Sequence, residues 1–140
     1  MPSTYQSIVI EAPIEDVWAK ISDFHALTFA PRVISDCQKV GDKSGTEVGA
    51  QRLLNGIITE TLTHHDPASH AISYSIDDGP SPISPQDVSN YIGAVRLRPI
   101  TETGNTFVEW TSRWESDSDD AVAFCSEIYT TMLRALAISL

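Results

Sequence analysis

The chain has 140 residues and a formal net charge of −10, and 41% of its residues are hydrophobic. At this length about two-thirds of the unfolded surface can be buried in one core, so we expect a single domain over residues 1–140. The composition excludes a disordered chain, no apolar run approaches the roughly 20 residues of a membrane span, and the scarcity of Lys and Arg argues against a nucleic-acid partner.

The first third of the chain contains one predicted strand followed by helices. Ser7–Ile10 is rich in β-branched residues, which favour a strand. Pro13 suits the first position of a helix. The apolar residues that follow recur at i, i+3, i+4 and i+7, the spacing of a short amphipathic helix: Ile14, Val17, Trp18 and Ile21. A second short helix is expected over residues 27–34, interrupted at Pro31.

After these helices the hydrophobic period changes from about 3.6 to 2, which predicts strands. Turns that contain Gly, Pro or Asp separate the segments and are short enough for hairpins. The predicted strands cover residues 36–41, 48–54, 57–65, 71–77, 89–98 and 106–115. Six consecutive strands joined in this way form an antiparallel meander.

The chain ends in one long predicted helix, which Asp117 or Ser118 can cap. Its apolar stripe contains Ala121, Phe124, Cys125, Ile128, Met132, Ala135 and Leu136. This helix is the only long element available to cover the buried face of the sheet. We therefore predict an α+β fold in which a seven-stranded curved antiparallel sheet grips the C-terminal helix, with two short helices after strand 1.

Several short motifs resemble the START-like superfamily, also called SRPBCC, and within it the polyketide cyclase/dehydrase branch that includes the plant abscisic-acid receptors. They are Ile10-Glu11-Ala12-Pro13, Val17-Trp18, Ile21-Ser22-Asp23-Phe24, Val48-Gly49-Ala50-Gln51-Arg52, Thr59-Glu60-Thr61-Leu62, Tyr74-Ser75-Ile76 and Asn90-Tyr91. The resemblance spans essentially the whole chain and implies a helix-grip fold with a cavity between the sheet and the last helix. It implies no single activity, because relatives include hormone receptors, lipid carriers and cyclases.

Strand alternation predicts which side chains face that cavity. Tyr91 and Trp110 each belong to the apolar set of their strand, and Tyr74 shares a face with Ile76. The resemblance agrees with these positions and adds Ile34 together with Phe124, Ile128 and Met132 of the last helix. The predicted ligand-binding wall is therefore apolar with a few aromatic residues.

Glu60 is the exception in this wall, because it shares a strand face with Ile58 and Leu62. A buried carboxylate needs a cation, a hydroxyl or a ligand nearby, and Arg52 and Tyr91 are the candidates in the chain. A two-residue turn at Asn55-Gly56 would place Gln51 opposite Glu60, whereas the family pattern turns Arg52 inward. The sequence leaves the direction of Arg52 open.

Catalysis, if present, would be acid–base chemistry by Glu60 with Tyr74 or Tyr91 as hydrogen-bond donors. No motif for a nucleophile or a phosphate loop is present. The adjacent His64 and His65 point to opposite faces of a strand, so we expect no metal and no cofactor.

Three functions follow from this sequence. The first is the binding of an apolar small molecule such as a lipid, polyketide or aromatic compound. The alternatives are a cyclase- or dehydrase-like enzyme and a protein-interaction module with a vestigial cavity. The Pro-rich loop over residues 77–85 matches the position of a gate loop in the abscisic-acid receptors and is either a mobile lid or a stiff connection. The receptors have a second gate loop between their third and fourth strands, and the corresponding connection here, Leu54–Ile57, is too short to form one.

The remaining expectations concern the surroundings of the protein. The N-terminus reaches Glu11 without the basic and apolar regions of a signal sequence, so we expect a cytoplasmic protein. Cys37 and Cys125 are expected to be reduced, small buried residues. We expect no membrane insertion, and the sequence leaves open whether the chain forms a homodimer.

Overall fold

The computed structural model describes residues 1–140 and confirms the predicted helix-grip fold. One sheet has the strand order β1-β7-β6-β5-β4-β3-β2, and all neighbouring strands are antiparallel. The elements in chain order are β1 (Ser3–Ile10), α1 (Ile14–Ile21), β2 (Cys37–Val40), β3 (Gln51–Leu54), β4 (Ile58–Asp66), β5 (Ala71–Asp78), β6 (Ser89–Pro99), β7 (Thr106–Glu115) and α2 (Asp120–Ile138).

The inner face of the sheet follows from the alternation of apolar residues along the long strands. In β7 the buried side chains include Val108, Trp110 and Trp114, and every second residue between them is less buried. In β6 the same pattern buries Tyr91 and Val95. Because successive side chains point to opposite faces, all of these lie on the face that α2 covers.

The second short helix does not form. Segment 27–34 contains only a single turn, in which the backbone N–H groups of Val33 and Ile34 donate to the carbonyl oxygen of Ala30 at 3.0 and 2.9 Å. A longer helix would need the next N–H groups to bond within the segment. Instead, the N–H groups of Ser35 and Asp36 donate to Oδ1 of Asn55 at 2.8 and 3.2 Å, which ends the turn.

The connection between β3 and β4 differs from the predicted two-residue turn. Asn55 and Gly56 have φ angles of 53° and 69°, as expected for a tight hairpin, but Ile57 is an additional loop residue. Pairing therefore starts at Leu54 with Ile58. The shift by one residue places Arg52, and not Gln51, opposite Glu60, so the family pattern was right and the two-residue turn was wrong.

Helix α2 begins at Asp120 with Asp119 as its N-cap, so the predicted cap at Asp117 or Ser118 was wrong by at least one residue; Oγ of Ser118 accepts the N–H of Asp120 at 3.2 Å. It lies over β1, and the hydroxyl of Thr130 donates to Oε1 of Gln6 at 3.0 Å. By length and composition alone α2 could cross a membrane. In this fold Leu133 and Leu136 on α2 are buried in the core, as in the central helix of a folded domain.

Candidate ligand-binding cavity

A cavity of about 190 Å³ lies between the concave face of the sheet, α2, segment 27–34 and the loop over residues 79–88. Twenty residues line it, and 16 of them are hydrophobic, so an occupant would meet a mainly apolar wall. All ten residues predicted to face the cavity lie around it: Ile34, Arg52, Glu60, Tyr74, Ile76, Tyr91, Trp110, Phe124, Ile128 and Met132.

The sequence prediction missed the other half of the lining. The additional residues are Leu27, Val33, Leu54, Asn55, Ile57, Ile58, Pro80, Ile83, Cys125 and Tyr129. Tyr129 is the most important of them, because its hydroxyl is central to the polar contacts described below. A signal for it existed: Cys125, Tyr129 and Leu133 are spaced by four residues on α2, the spacing of one helix face, and all three are buried.

Arg52 and Glu60 form a buried ion pair at one side of the cavity. Their exposed fractions are 4% and 5%, and they lie directly opposite each other on β3 and β4. Nε of Arg52 donates to Oε1 of Glu60 at 2.9 Å, and Nη2 lies 2.7 Å from the same oxygen. Of the two candidate partners, Glu60 therefore pairs with Arg52 and not with Tyr91.

Two aromatic rings and a backbone carbonyl hold Arg52 in place. Nη1 donates to the carbonyl oxygen of Phe24 at 3.0 Å, and the guanidinium carbon lies 3.8 Å from the centre of the Phe24 ring and 5.6 Å from that of Tyr74. Burial raises the pKa of Glu60 above its ordinary value, and the attraction of Arg52 opposes this shift without cancelling it.

Three phenols form a second polar group deeper in the cavity. The hydroxyls of Tyr74 and Tyr129 lie 2.7 Å apart, and Tyr129 also hydrogen-bonds to Tyr91. Nε1 of Trp110 donates to the Tyr74 hydroxyl at 2.9 Å, and Tyr91 donates to Sγ of Cys125 at 3.5 Å. The five side chains thus form one continuous hydrogen-bonded series across β5, β6, β7 and α2.

Burial and stacking fix these aromatic residues. Burial raises the pKa of Tyr74, Tyr91 and Tyr129 far above the ordinary value for tyrosine, so all three phenols stay neutral. The Trp110 ring stacks on Tyr129 with centres 4.8 Å apart, and Trp114 stacks on Tyr91 at 5.3 Å. The phenol hydroxyls are therefore held in place as hydrogen-bonding groups.

The position of the Tyr74 ring depends on a glycine in the neighbouring strand. Gly93 on β6 pairs with Tyr74 on β5, and a Cβ atom at Gly93 would lie closer to the Tyr74 ring and hydroxyl than real Cβ contacts allow. A glycine inside a strand often marks such a close approach. Tyr74 consequently lies across the bare backbone of β6 instead of extending further into the cavity.

The Pro-rich loop closes one side of the cavity through Pro80 and Ile83, and Ile83 is buried. The Asp87 carboxylate accepts hydrogen bonds from the hydroxyls of Ser81 and Ser84, the latter at 2.6 Å. These two hydroxyls lower the pKa of Asp87. The 79–88 loop is thus fixed at its base by one exposed carboxylate while its apolar residues lie on the cavity.

The two cysteines are not bonded to each other, and the histidines of the β4–β5 hairpin make separate contacts. Cys37 and Cys125 are both free thiols; Cys125 is buried, whereas Cys37 is only half-buried. His65 hydrogen-bonds to the carbonyl oxygen of Ser22, and His70 contacts Glu15 at 2.7 Å. These contacts connect the β4–β5 hairpin to α1 and its C-terminal end.

Known proteins resemble this chain over nearly its whole length. The family model described as polyketide cyclase/dehydrase and lipid transport matches residues 1–139. A solved protein from Nitrosospira multiformis is 44% identical, with a TM-score of 0.96 over 98% of this chain and 94% of its own. The protein XoxI from Bacillus cereus is 26% identical, with a TM-score of 0.80 over 99% and 95% of the two chains.

A more distant structure shares the fold alone. Major latex-like protein 151 from Panax ginseng is 13% identical and superimposes with a TM-score of 0.78 over 97% of this chain and 95% of its own. No curated protein sequence gives a significant match. The matches thus extend over nearly the whole length of the chain, and they do not identify an occupant of the cavity.

Proposed function

Because this chain belongs to the polyketide cyclase/dehydrase and lipid transport family, we propose that it binds one apolar small molecule in the cavity between the sheet and α2. One observation carries the proposal: the side chains leave about 190 Å³ of space inside a wall in which 16 of 20 residues are hydrophobic. Close packing is the rule in protein interiors, so an apolar space of this size between the sheet and the helix that covers it leaves room for a small molecule.

The volume limits the size of the occupant. An apolar cavity of about 150 Å³ holds a benzene molecule, so a cavity of about 190 Å³ suits one ring with a short substituent or an alkyl chain of similar volume. A larger lipid or a multi-ring polyketide would require Pro80 and Ile83 to move outward with the 79–88 loop. We therefore expect small aromatic compounds to bind without rearrangement of the protein.

The direct test is native mass spectrometry of the protein purified from its own host, followed by titration with a small alkylbenzene. Ile128→Phe should abolish binding, because the larger ring occupies the cavity. Ile138→Phe is the matched control, because Ile138 lies on the same helix, is 84% exposed and does not line the cavity. If no molecule copurifies and alkylbenzenes bind neither wild type nor control, the proposal is wrong.

Acid–base catalysis is the second candidate, and the open side of Glu60 favours it. Both contacts from Arg52 fall on Oε1, so Oε2 is available to a molecule in the cavity, and burial raises the pKa of Glu60 above its ordinary value. The test is to follow the mass of the copurified molecule during incubation with the protein. Glu60→Gln should stop any conversion, whereas Glu102→Gln in an exposed turn should not; equal conversion by both variants would exclude this role.

The third alternative, an interaction module with a vestigial cavity, has less support. It would require Trp110, Tyr74 and Met132 to fill the interior. These three side chains line the cavity and leave it open.

A further inference from the structure

One carboxylate oxygen of Glu60, Oε2, has no hydrogen-bond partner in the protein. Oε2 accepts no hydrogen bond from the protein, because both Arg52 contacts fall on Oε1. The only fully enclosed side-chain nitrogen or oxygen without a partner is Nε1 of Trp114. Oε2 is therefore not fully enclosed, and since Glu60 lines the cavity, this oxygen borders its open space.

The hydrogen bonds among the three phenols run in one direction. An indole N–H can only donate, so Trp110 makes the Tyr74 oxygen an acceptor. If Tyr129 also donated to Tyr74, the Tyr74 proton would be buried without an acceptor in the protein. Every donor has a partner only when Tyr74 donates to Tyr129, Tyr129 to Tyr91 and Tyr91 to Cys125.

This direction leaves the phenols without a free donor. Each hydroxyl proton of Tyr74, Tyr129 and Tyr91 is used within the series, and each oxygen keeps only acceptor capacity. In Arg52, Nε and Nη2 contact Oε1 of Glu60 and Nη1 donates to Phe24. The Asn55 amide donates to the carbonyl oxygen of Val33. Each nitrogen of Arg52 and Asn55 thus has at least one partner in the protein, and among the polar side-chain atoms of the lining residues Oε2 of Glu60 is the one without any hydrogen bond.

We infer that the cavity selects a neutral ligand that donates a hydrogen bond, such as a phenol, an alcohol or an N–H heterocycle, and that Oε2 of Glu60 accepts it. This inference rests on the proposed function and specifies its ligand class. A guanidinium stays cationic at all ordinary pH values, so Arg52 favours the carboxylate form of Glu60 against the burial that raises its pKa. A ligand carboxylate would bring a second negative charge into the apolar wall beside Glu60, with no free cation to pair with it.

The test is a matched series of three probes that differ in one group: 4-propylphenol, 4-propylanisole and 4-propylbenzoate. Their dissociation constants are measured by calorimetry with the wild-type protein at neutral pH. A hydrogen bond to a charged acceptor predicts that the phenol binds about 10- to 100-fold more tightly than the ether. The benzoate should bind more weakly than the ether.

The possible outcomes separate the two proposals. If the phenol and the ether bind equally, or the benzoate binds best, the inference is overturned and the apolar-ligand function stands. If none of the three binds, both are overturned. The paired variant Arg52→Met/Glu60→Leu removes both charges and should reduce the preference for phenol over ether to less than about threefold, which identifies Oε2 as its source. The wild-type series requires no variant and decides the question if this one fails to fold.

Discussion

The two halves of the sheet use the same alternation of side chains for different purposes. In the packed half, β1, β6 and β7 lie beneath α2, and residues such as Val108, Leu97 and Leu136 have essentially no exposed surface. In the cavity half, β3, β4 and β5 face the space under segment 27–34 and the 79–88 loop, where Ile58 and Ile76 are only half-buried. Residues that pack the core and residues that border the cavity thus lie in neighbouring parts of one sheet. Mutations in the two parts should therefore affect stability and ligand binding separately.

The largest expected effect is alkaline unfolding, because the buried phenols connect the two halves. Tyr74 lies on β5, Tyr91 on β6 and Tyr129 on α2, and burial raises the pKa of each. The folded state keeps these protons while the unfolded chain releases them above about pH 10. Stability is therefore complete below about pH 10 and falls above it by about 1.4 kcal/mol per pH unit for each phenol.

The measurement is tyrosinate absorbance and far-ultraviolet circular dichroism over the same pH range. Exposed Tyr5 should titrate first, although its hydrogen bond to Glu109 raises its pKa. The other three phenols should ionise together with the loss of secondary structure. Tyr5→Phe is the control and should remove only the early phase. Ionisation of all four before unfolding would mean that the phenol series opens locally.

Removing one partner of the ion pair should have the next largest effect, although it lies in the cavity half. Arg52→Met leaves the Glu60 carboxylate buried and unpaired, which lowers the free energy of unfolding by about 3–5 kcal/mol. Arg98→Met on β6 is the exposed control, with an expected change within about 0.5 kcal/mol. Denaturant unfolding measures both.

The double variant Arg52→Met/Glu60→Leu checks the cause of this loss. Removing both charges should restore most of the stability lost in Arg52→Met, because no unpaired charge remains. If the double variant is as unstable as the single one, the packing of Arg52 on Phe24, and not the ion pair, holds this side of the cavity.

Two truncations on α2 compare the halves directly. Leu136→Ala removes contacts from a fully packed site and should destabilise the protein by about 3 kcal/mol without changing ligand affinity. Ile128→Ala enlarges an existing space, so fewer contacts are lost and the expected destabilisation is only about 1 kcal/mol, together with weaker ligand binding. Equal losses of stability would contradict the division between the halves.

The smallest expected effect concerns the 79–88 loop. Hydrogen bonds from Ser81 and Ser84 lower the pKa of Asp87, so its stabilising contribution is present above the ordinary value near pH 4 and is lost as the pH falls below it. Asp87→Asn should increase hydrogen exchange within the loop at neutral pH while leaving the midpoint of thermal unfolding nearly unchanged.

Asp117→Asn is the matched control for this variant, because Asp117 is exposed near the same loop and makes no side-chain hydrogen bond. If the amide hydrogens of the 79–88 loop exchange equally slowly in Asp87→Asn and Asp117→Asn, the two serine contacts do not fix the loop. Faster ligand release from Asp87→Asn alone would support movement of Ile83 as the entry step.

Hydrophobic periodicity predicted β4 to β7 and α2 well because each is long enough for its period to repeat several times, whereas β3 has four residues and begins at Gln51, after the predicted start at residue 48. The same argument located Glu60, since alternation along β4 left its carboxylate no outward position. Segment 27–34 and the loop at Asn55–Ile57 were predicted incorrectly because tertiary hydrogen bonds decide both. The side chain of Asn55 accepts the N–H groups of Ser35 and Asp36, and no local pattern indicates such a contact.

The cavity was only half predicted for a related reason. Ile57 and Ile83 line it because the β3–β4 loop and the 79–88 loop fold over it, and loop residues carry no period. Tyr129 was missed because the predicted stripe on α2 used Phe124 and Ile128, which lie at the edge of the buried face. The phenol series connects three strands to this helix, so it exists only after the elements have assembled.

The close approach of Tyr74 to Gly93 has a consequence for how such proteins diversify. The residue at position 93 does not belong to the cavity wall, yet it determines how far the ring opposite it extends into the interior. A methyl group at this position would push the Tyr74 phenol inward and shrink the available space, although no residue of the cavity wall would be substituted. The volume of the cavity therefore depends on the absence of a Cβ atom at Gly93 in the neighbouring strand, and one substitution can change it.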